Sequence, residues 1–412
     1  MRLPSRTLLI LAACAAAACH PKPAGPAAAT AGPSRYLFLW AGDADKQDAD
    51  FLAVVGVDPK RPDYAAVVAT LPVDVKGSRP HHTEYEMPAG GVLWANGFDA
   101  SRTFLFDLRD PVHPAIRAAF GDPDPFGHPH SYARLPNGGI LATMQWEKRG
   151  DQHETGGLVE FDAAGHVVRS VRASTADDPT VRPYSLAVLP ALDRVVTTAT
   201  DMHLQVRSRA VQIWRLSDLT LLQTLLLPPG TRGDEQWLTA EPRALPDGRV
   251  LVNTFTCGLY LVSGLGGPTA SAEFVHSSPW NATIDARRFC AVPVLVDHFW
   301  IQTSGPEHAV ISLDVSDPRQ PREVSRLRLG PDDVPHWIAI EPGGDRLVIT
   351  GYAGIESRVL LARVDRRTGA LTLDTTFKAP GAADPGVDFG RATWPHGASG
   401  KAIPHGAVFS RP

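Results

Sequence analysis

Several patterns that announce common chemistries are missing from this chain of 412 residues. It has no G-x-x-x-x-G-K-[ST] loop to cradle a phosphate, no G-x-S-x-G elbow to present a serine, and no H-E-x-x-H zinc pair. The acidic stretch "GDADKQDAD" at 42–50 lacks the loop glycine and closing glutamate of an EF-hand, so it reads as a solvated loop. Positive charge is also short. Lys and Arg number 40 against 44 Asp and Glu, for a net charge of -4. That balance excludes a surface built to neutralise phosphates, and no nucleic-acid partner is expected. Cysteine is scarce, with four in all, and Cys14 and Cys19 sit near the N-terminus. The remaining two, Cys257 and Cys290, do not make a disulfide framework. In an oxidising compartment they are free to pair; reduced, Cys290 is a soft-ligand candidate that favours copper. No long amphipathic helix is visible, and no apolar run reaches the roughly 20 residues of a membrane span.

The N-terminus, "MRLPSRTLLILAACAAAACHPKPAGPAAATAGPSR", begins with two arginines, Arg2 and Arg6, before a short apolar run and small residues leading to cysteine. This is the layout of an export signal. "LAAC" at Leu11–Cys14 resembles a lipoprotein cleavage box, and "AAAC" ending at Cys19 lies at a more usual distance. The expectation is a lipoprotein-type signal over 1–19, with Cys19 or Cys14 lipidated. A Pro/Ala-rich linker covers 20–34 and the folded domain 35–412. The protein is then exported, either to the periplasm or to the outer membrane, which it touches only through a lipid anchor.

Short runs dense in Val, Leu, Ile and aromatics alternate with Gly, Pro and Asp turns throughout. Six hairpins align: "HTEYEMPAGGVLWANG", "HSYARLPNGGILATMQ", "YSLAVLPALDRVVTTA", "AEPRALPDGRVLVNTF", "CAVPVLVDHFWIQTSG" and "HWIAIEPGGDRLVITG". They begin at residues 82, 130, 184, 240, 290 and 336, a spacing that suits a four-stranded propeller blade. Three strands precede the first hairpin, "RYLFLWAG", "DFLAVVGVD" and "AAVVATLPV", and one, "PHGAVFSRP", follows the last. Together they supply a seventh blade. The reading is an all-β, seven-bladed β-propeller of four antiparallel strands per blade, its ring closed by three N-terminal strands plus one C-terminal strand.

The first strand of each blade lines a propeller's central channel. Its first aligned position holds His82, His130, Tyr184, Ala240, Cys290 and His336, and His405 starts the seventh strand. Four of the fifteen histidines thus fall on one ring, with His81 immediately beside it. A ring of neutral imidazoles suits a transition metal such as Zn, Cu, Fe or Ni. His82, His130, His336 and His405 are therefore the expected metal ligands. Glu241 and Arg243 in "TAEPRALPDG" lie at the same mouth, where a carboxylate serves as ligand, supporting group, general base or half of a structural ion pair. Tyr184 is placed to donate a proton or line the channel. His308 and His203 belong to loops on that face.

The segments "DFLAVVGVDPKRPDYAAVVATLPV" with "HHTEY", "AVQIWRLSDLTLLQTLLLPPG", and "ISLDVSDPRQPREVSRLRLG" resemble those of the selenium-binding protein / methanethiol oxidase family. The resemblance runs from about residue 35 to the end and implies a seven-bladed propeller. It also implies copper-dependent oxidation of methanethiol with oxygen and water to formaldehyde, hydrogen sulfide and hydrogen peroxide. By motif, His81-His82 match the family's paired histidines, His130 its next histidine and His405 its C-terminal one. Glu241 and Arg243 resemble its glutamate-x-arginine element, and His308 a late-loop histidine. Three places depart. Ala65 and Ala66 stand where the family carries its selenium-linked cysteine, Val334-Pro335-His336 replaces glycine-proline-glutamine, and "PHGAVFSRP" replaces an acidic, glycine-rich ending.

The function expected is copper-dependent oxidation of a small thiol or related sulfur compound, with another transition metal as the variant. His82, His130, His336 and His405 hold the metal, and His81, Glu241, Arg243, Tyr184 and His308 support it or act in catalysis. The alternative is a non-enzymatic exported propeller that binds a metal, a ligand or a protein partner, since the fold alone decides neither.

Overall fold

The computed structural model describes residues 32–147, 155–173, 181–281, 288–351 and 357–412. The export signal, both N-terminal cysteines and nearly all of the Pro/Ala-rich segment lie outside the described residues. Residues Pro33–Pro412 form one compact unit of seven antiparallel sheets. Six sheets take their strands in succession from one stretch of chain. In the seventh, the C-terminal strand Ala402–Phe409 pairs with Tyr36–Asp43, which continues to Ala49–Gly56 and Val67–Lys76. The seven-bladed propeller and its closure by three N-terminal strands and one C-terminal strand are borne out. A short extra strand, Val387–Asp388, also pairs with Arg358–Val364 in the sixth blade.

Blades are numbered here from the sheet that starts at Pro80. The inner strands are Pro80–Thr83, Phe126–Arg134, Pro183–Leu189, Thr239–Ala244, Pro293–Val296, Pro335–Ile340 and Ala402–Phe409. The two middle strands of each blade are almost wholly buried, because neighbouring blades cover both of their faces. Trp40, Trp94, Trp214, Trp300 and Trp337 fill the spaces between blades. Outermost strands such as Val167–Arg172 alternate with solvent, so the polar and apolar residues of "VVRSVR" share one strand.

A repeated hydrogen-bonded latch fixes how each inner strand meets the next. In blade 1, Asn96 on the second strand accepts from its own inner strand at His82 N and donates to the next one at His130 O, at 2.7 and 2.9 Å. Thr143 accepts from Ser131 N and donates to Tyr184 O; Thr198 does so between Ser185 N and Ala240 O. Asn253 links Glu241 N to Ala291 O, Thr303 links Ala291 N to His336 O, and Thr350 donates to His405 O. Each latch satisfies buried backbone groups that no ladder reaches, at about 1 kcal/mol apiece.

Candidate metal centre

The ladder between first and second strand shifts register at the same height in six blades. The breaks fall between Pro80 and Thr83, Pro129 and Tyr132, Pro183 and Leu186, Thr239 and Pro242, Pro335 and Trp337, and, in blade 7, opposite Leu39 and Ala41. Such bulges suspend the in–out alternation of a strand and re-aim its side chains. Here they turn consecutive residues inward. His81 and His82 are neighbours in the chain, yet their rings stack 4.5 Å apart at 23°, and both are buried.

The bulge also corrects the alignment. Thr83 pairs with Ala95 and Tyr132 with Ala142, so counting back makes His81, not His82, the equivalent of His130. The ring is His81, His130, Tyr184, Ala240, Cys290, His336 and His405. A second tier of His82, Ser131, Ser185, Glu241, Ala291, Trp337 and Gly406 follows it. The expected ring put His82 in the first tier with His81 beside it. Strand alternation does not register an inserted residue, and a slip of one follows.

The two tiers bring five histidines together. Ring centroids lie 4.1 Å apart for His81–His405, 4.2 Å for His82–His130, 4.9 Å for His81–His130 and 4.9 Å for His336–His405. His81 of blade 1 also stands 6.3 Å from His336 of blade 6, a contact across the channel. Among the described residues, His81, His82 and His130 form the group whose ligand atoms all lie within 4.8 Å of one another. His336 and His405 complete the wall beside them.

Hydrogen bonds settle which nitrogens face inward. His130 Nδ1 lies 2.7 Å from Tyr184 O, and His405 Nδ1 lies 2.6 Å from His81 O. A carbonyl only accepts, so both Nδ1 atoms carry the proton and both Nε2 atoms present lone pairs. His82 Nδ1 is held by Ser131 Oγ at 3.1 Å. The Nε2 atoms of His82 and His405 are buried with no hydrogen-bond partner among the described residues, an arrangement that costs about 1–3 kcal/mol for each atom. Burial, reinforced by the neighbouring imidazoles, holds His81, His82, His130 and His336 well below the ordinary histidine range. Burial likewise pushes His405 down to about 3. All five are therefore neutral, the form a metal takes.

These residues fit a transition-metal ion. The donors are neutral imidazoles, each tethered nitrogen bonds a carbonyl or hydroxyl as outer partners of metal-bound histidines do, and the lone pairs left over are buried. His81 Nε2 and His130 Nε2 are 3.1 Å apart, and two nitrogens bound at ~2 Å to one ion lie roughly that far apart.

Glu241 occupies the second tier and is fully buried. Its Oε2 accepts from Tyr85 OH at 2.6 Å, Ser185 Oγ at 2.7 Å and Arg243 at 2.9 Å. Tyr85, which the sequence reading did not single out, reaches from blade 1 to blade 4 to make this bond. Trp337, also missed, packs on both Tyr85 and His82, 5.2 Å from the phenol ring at 8° and 4.9 Å from the His82 ring, closer to each than the 6.1 Å at which the Tyr85 and His82 rings meet edge-on. Tyr184 lies against His130 at 3.9 Å. His308 is elsewhere: its ring bonds Arg288 and Asp333 O, outside the cluster. His203 packs on Trp146. Cys290 is disulfide-bonded to Cys257, so it is no thiolate ligand. Pairing, left open by the sequence, removes the soft-ligand option.

Three spaces approach the centre. A cleft of about 10 Å³ lies over His81, His336 and Tyr184, walled by Phe255, Phe289 and Met202. A pocket of about 390 Å³ between blades 7 and 1 reaches His81 and His405 past Arg79 and Lys46. At the other end of the channel, a chamber of about 540 Å³ is bounded by Tyr85, Arg243, Arg134 and apolar residues including Leu186 and Val294.

No family model matches the chain. Methanethiol oxidase from Hyphomicrobium sp is 29% identical to it over 175 residues, which are 41% of this chain and 39% of that protein. Over that stretch the two are homologous, as the resemblance led one to expect. The X-ray structure of a hypothetical selenium-binding protein from Sulfolobus tokodaii superposes with a TM-score of 0.74 at 16% identity, covering 93% of this chain and 97% of that one. The periplasmic gluconolactonase of Pseudomonas aeruginosa follows with 0.64 at 11%, covering 92% and 99%. At such identities these structures share the fold, and nothing about chemistry passes with it.

Proposed function

We propose that this protein is an exported, copper-dependent oxidase of a small thiol or related reduced-sulfur compound. The overall reaction is that of a methanethiol oxidase: thiol, oxygen and water give an aldehyde, hydrogen sulfide and hydrogen peroxide. The observation that carries the reading is the buried set of neutral imidazoles at His81, His82, His130, His336 and His405, in a chain homologous in part to methanethiol oxidase. Export, with a lipid anchor at Cys19 or Cys14, belongs to the same proposal. The Cys257–Cys290 disulfide supports it, because such bonds persist in oxidising compartments.

His81, His82 and His130 would hold the ion, with His405 and His336 turned toward the same space. Copper, when bound, would supply one-electron chemistry between a thiol and oxygen. The chain's own contribution is placement and exclusion. Carbonyl and hydroxyl tethers fix the orientation of His130, His405 and His82. Phe98, Phe255 and Phe289 exclude water from the rings. A substrate of few heavy atoms enters through the pocket that reaches His81 and His405. Glu241, held by three donors, sits one tier below, placed to accept or return a proton.

The test is elemental analysis of the protein produced with its export segment, followed by assay for hydrogen sulfide and peroxide from methanethiol. Copper at about one ion per chain, lost in His81→Ala/His130→Ala, with product release is expected. A second reading rests on the tightness of the cleft over the ring, which holds roughly one water: a propeller that binds copper without turning over. Copper-loaded protein inert toward thiols selects it.

A further inference from the structure

Three residues on the far side of the histidines are arranged for more than packing. Trp337 is fully buried, touches the His82 ring edge-on at 4.9 Å, and stacks almost parallel on Tyr85 at 5.2 Å. The Trp337 indole N–H is committed to Ala407 O at 3.0 Å, a carbonyl too weak a base to take its proton. The Tyr85 hydroxyl, by contrast, points at a carboxylate 2.6 Å away. Tyr85 lines the 540 Å³ chamber at the end of the channel opposite the histidines. An unbroken aromatic path therefore runs from the cluster to a second solvent space, and it ends beside a base.

We propose that Trp337, Tyr85 and Glu241 form a proton-coupled electron relay between the histidine cluster and the lower chamber. A one-electron oxidant at the cluster, an oxidised transition-metal ion or peroxide-derived species, draws one electron from Trp337. Tyr85 refills the indole, and its phenolic proton moves to Glu241 Oε2. The products are a neutral phenoxyl radical, a neutral carboxylic acid and the reduced oxidant. A thiolate in the chamber returns one electron to the phenoxyl and becomes a thiyl radical, while the proton moves back from Glu241. Arg243 enforces the coupling. Its guanidinium lies 4.2 Å over the Tyr85 ring, so a positively charged ring radical is disfavoured and the electron leaves only with the proton. Burial and the Glu241 charge raise the phenol well above its ordinary range, so it keeps its proton until oxidised.

The relay rests on the metal reading for its natural oxidant, and the experiment separates the two. Protein loaded with cupric ion, verified by the cupric EPR signal, is mixed with hydrogen peroxide and freeze-quenched. A tyrosyl signal is expected, absent in Tyr85→Phe and strongly diminished in Trp337→Phe, with the cupric signal unchanged. In Glu241→Gln the radical should form more slowly and lose its solvent deuterium effect. Bound copper with no radical, or an equal radical in Tyr85→Phe, overturns the relay and leaves the metal site standing. If no copper binds, the metal reading falls, and the relay is tested in metal-free protein by flash oxidation with a photogenerated ruthenium(III) complex. Tyr85→Phe must then remove most of the tyrosyl yield, and an undiminished yield overturns the relay. Circular dichroism of each variant controls for folding.

Discussion

The Nδ1 of His405 donates to the carbonyl oxygen of His81 across 2.6 Å of space and 324 positions of sequence. Between other blades, an Asn or Thr of the second strand makes the corresponding latch. In blade 7 that place belongs to Trp40, whose indole N–H goes instead to Asn96 O. The joint between blade 7 and blade 1 is thus closed by a histidine of the candidate metal centre. His405→Ala should lose on both counts. Leaving His81 O unpaired in a buried site costs about 1–3 kcal/mol, and the variant should bind copper more weakly than wild type. Urea unfolding and copper titration check the pair of effects; loss of one without the other would separate closure from the centre.

Five buried imidazoles make the metal-free protein acid-sensitive. The folded values lie below the ordinary one, well below for four of them and at about 3 for His405. In the unfolded chain each takes up a proton as pH falls through ~6.5. Unfolding therefore binds protons, and stability drops with falling pH by about 1.4 kcal/mol per unit for each histidine until the folded value is reached. Above ~6.5 both states are neutral, and these groups contribute no slope. Urea midpoints of metal-free protein should fall steeply between neutral and mildly acid pH, and less steeply in His81→Gln/His130→Gln. A flat profile would mean the cluster is already protonated or solvated.

A metal that binds only the folded state stabilises it by mass action. At a free concentration of about 100 times Kd the gain is ~2.7 kcal/mol. Adding copper to metal-free protein should raise the melting temperature, and His82→Ala, His81→Ala and His130→Ala should each blunt the shift. His308→Ala should leave the shift intact, because its ring bonds Arg288 and Asp333 O away from the cluster. Differential scanning calorimetry with and without the ion gives both comparisons.

The blade count was legible because a repeat imposes its strand spacing on the whole chain, and the complementary ends leave few ways to close it. The register of His81 and His82 was not legible from the inner strand, where a bulge inserts a residue that alternation cannot show. It could have been read from the second strands. Asn96, Thr143, Thr198, Asn253, Thr303 and Thr350 are the small polar residues that recur at one position inside apolar runs, and each donates to the backbone oxygen of the ring residue of the next blade, Cys290 in the case of Asn253. Tyr85 and Trp337 had no such signal. In sequence each is one more aromatic in a strand-forming segment, and what sets them apart is contact across the channel, which local pattern does not encode.

The disulfide gives the last prediction. Cys290 holds a ring position that the next two blades fill with the imidazoles of His336 and His405, which made it a candidate soft ligand. Its sulfur is instead bonded to Cys257 of the preceding blade's second-to-third-strand turn, closing a loop with a sequence separation of 33. Loop closure of that size stabilises by roughly 3–4 kcal/mol. Cys257→Ser/Cys290→Ser should therefore lower stability by about that amount while leaving copper stoichiometry and the cupric EPR spectrum unchanged. Both cysteines are buried behind Phe255 and Phe289, so mild reductant should not reproduce the effect until the protein begins to unfold. Were the double variant to lose its metal at full stability, Cys290 would have to act at the centre as a thiolate, and the neutral-imidazole account of the site would give way to a mixed nitrogen–sulfur one.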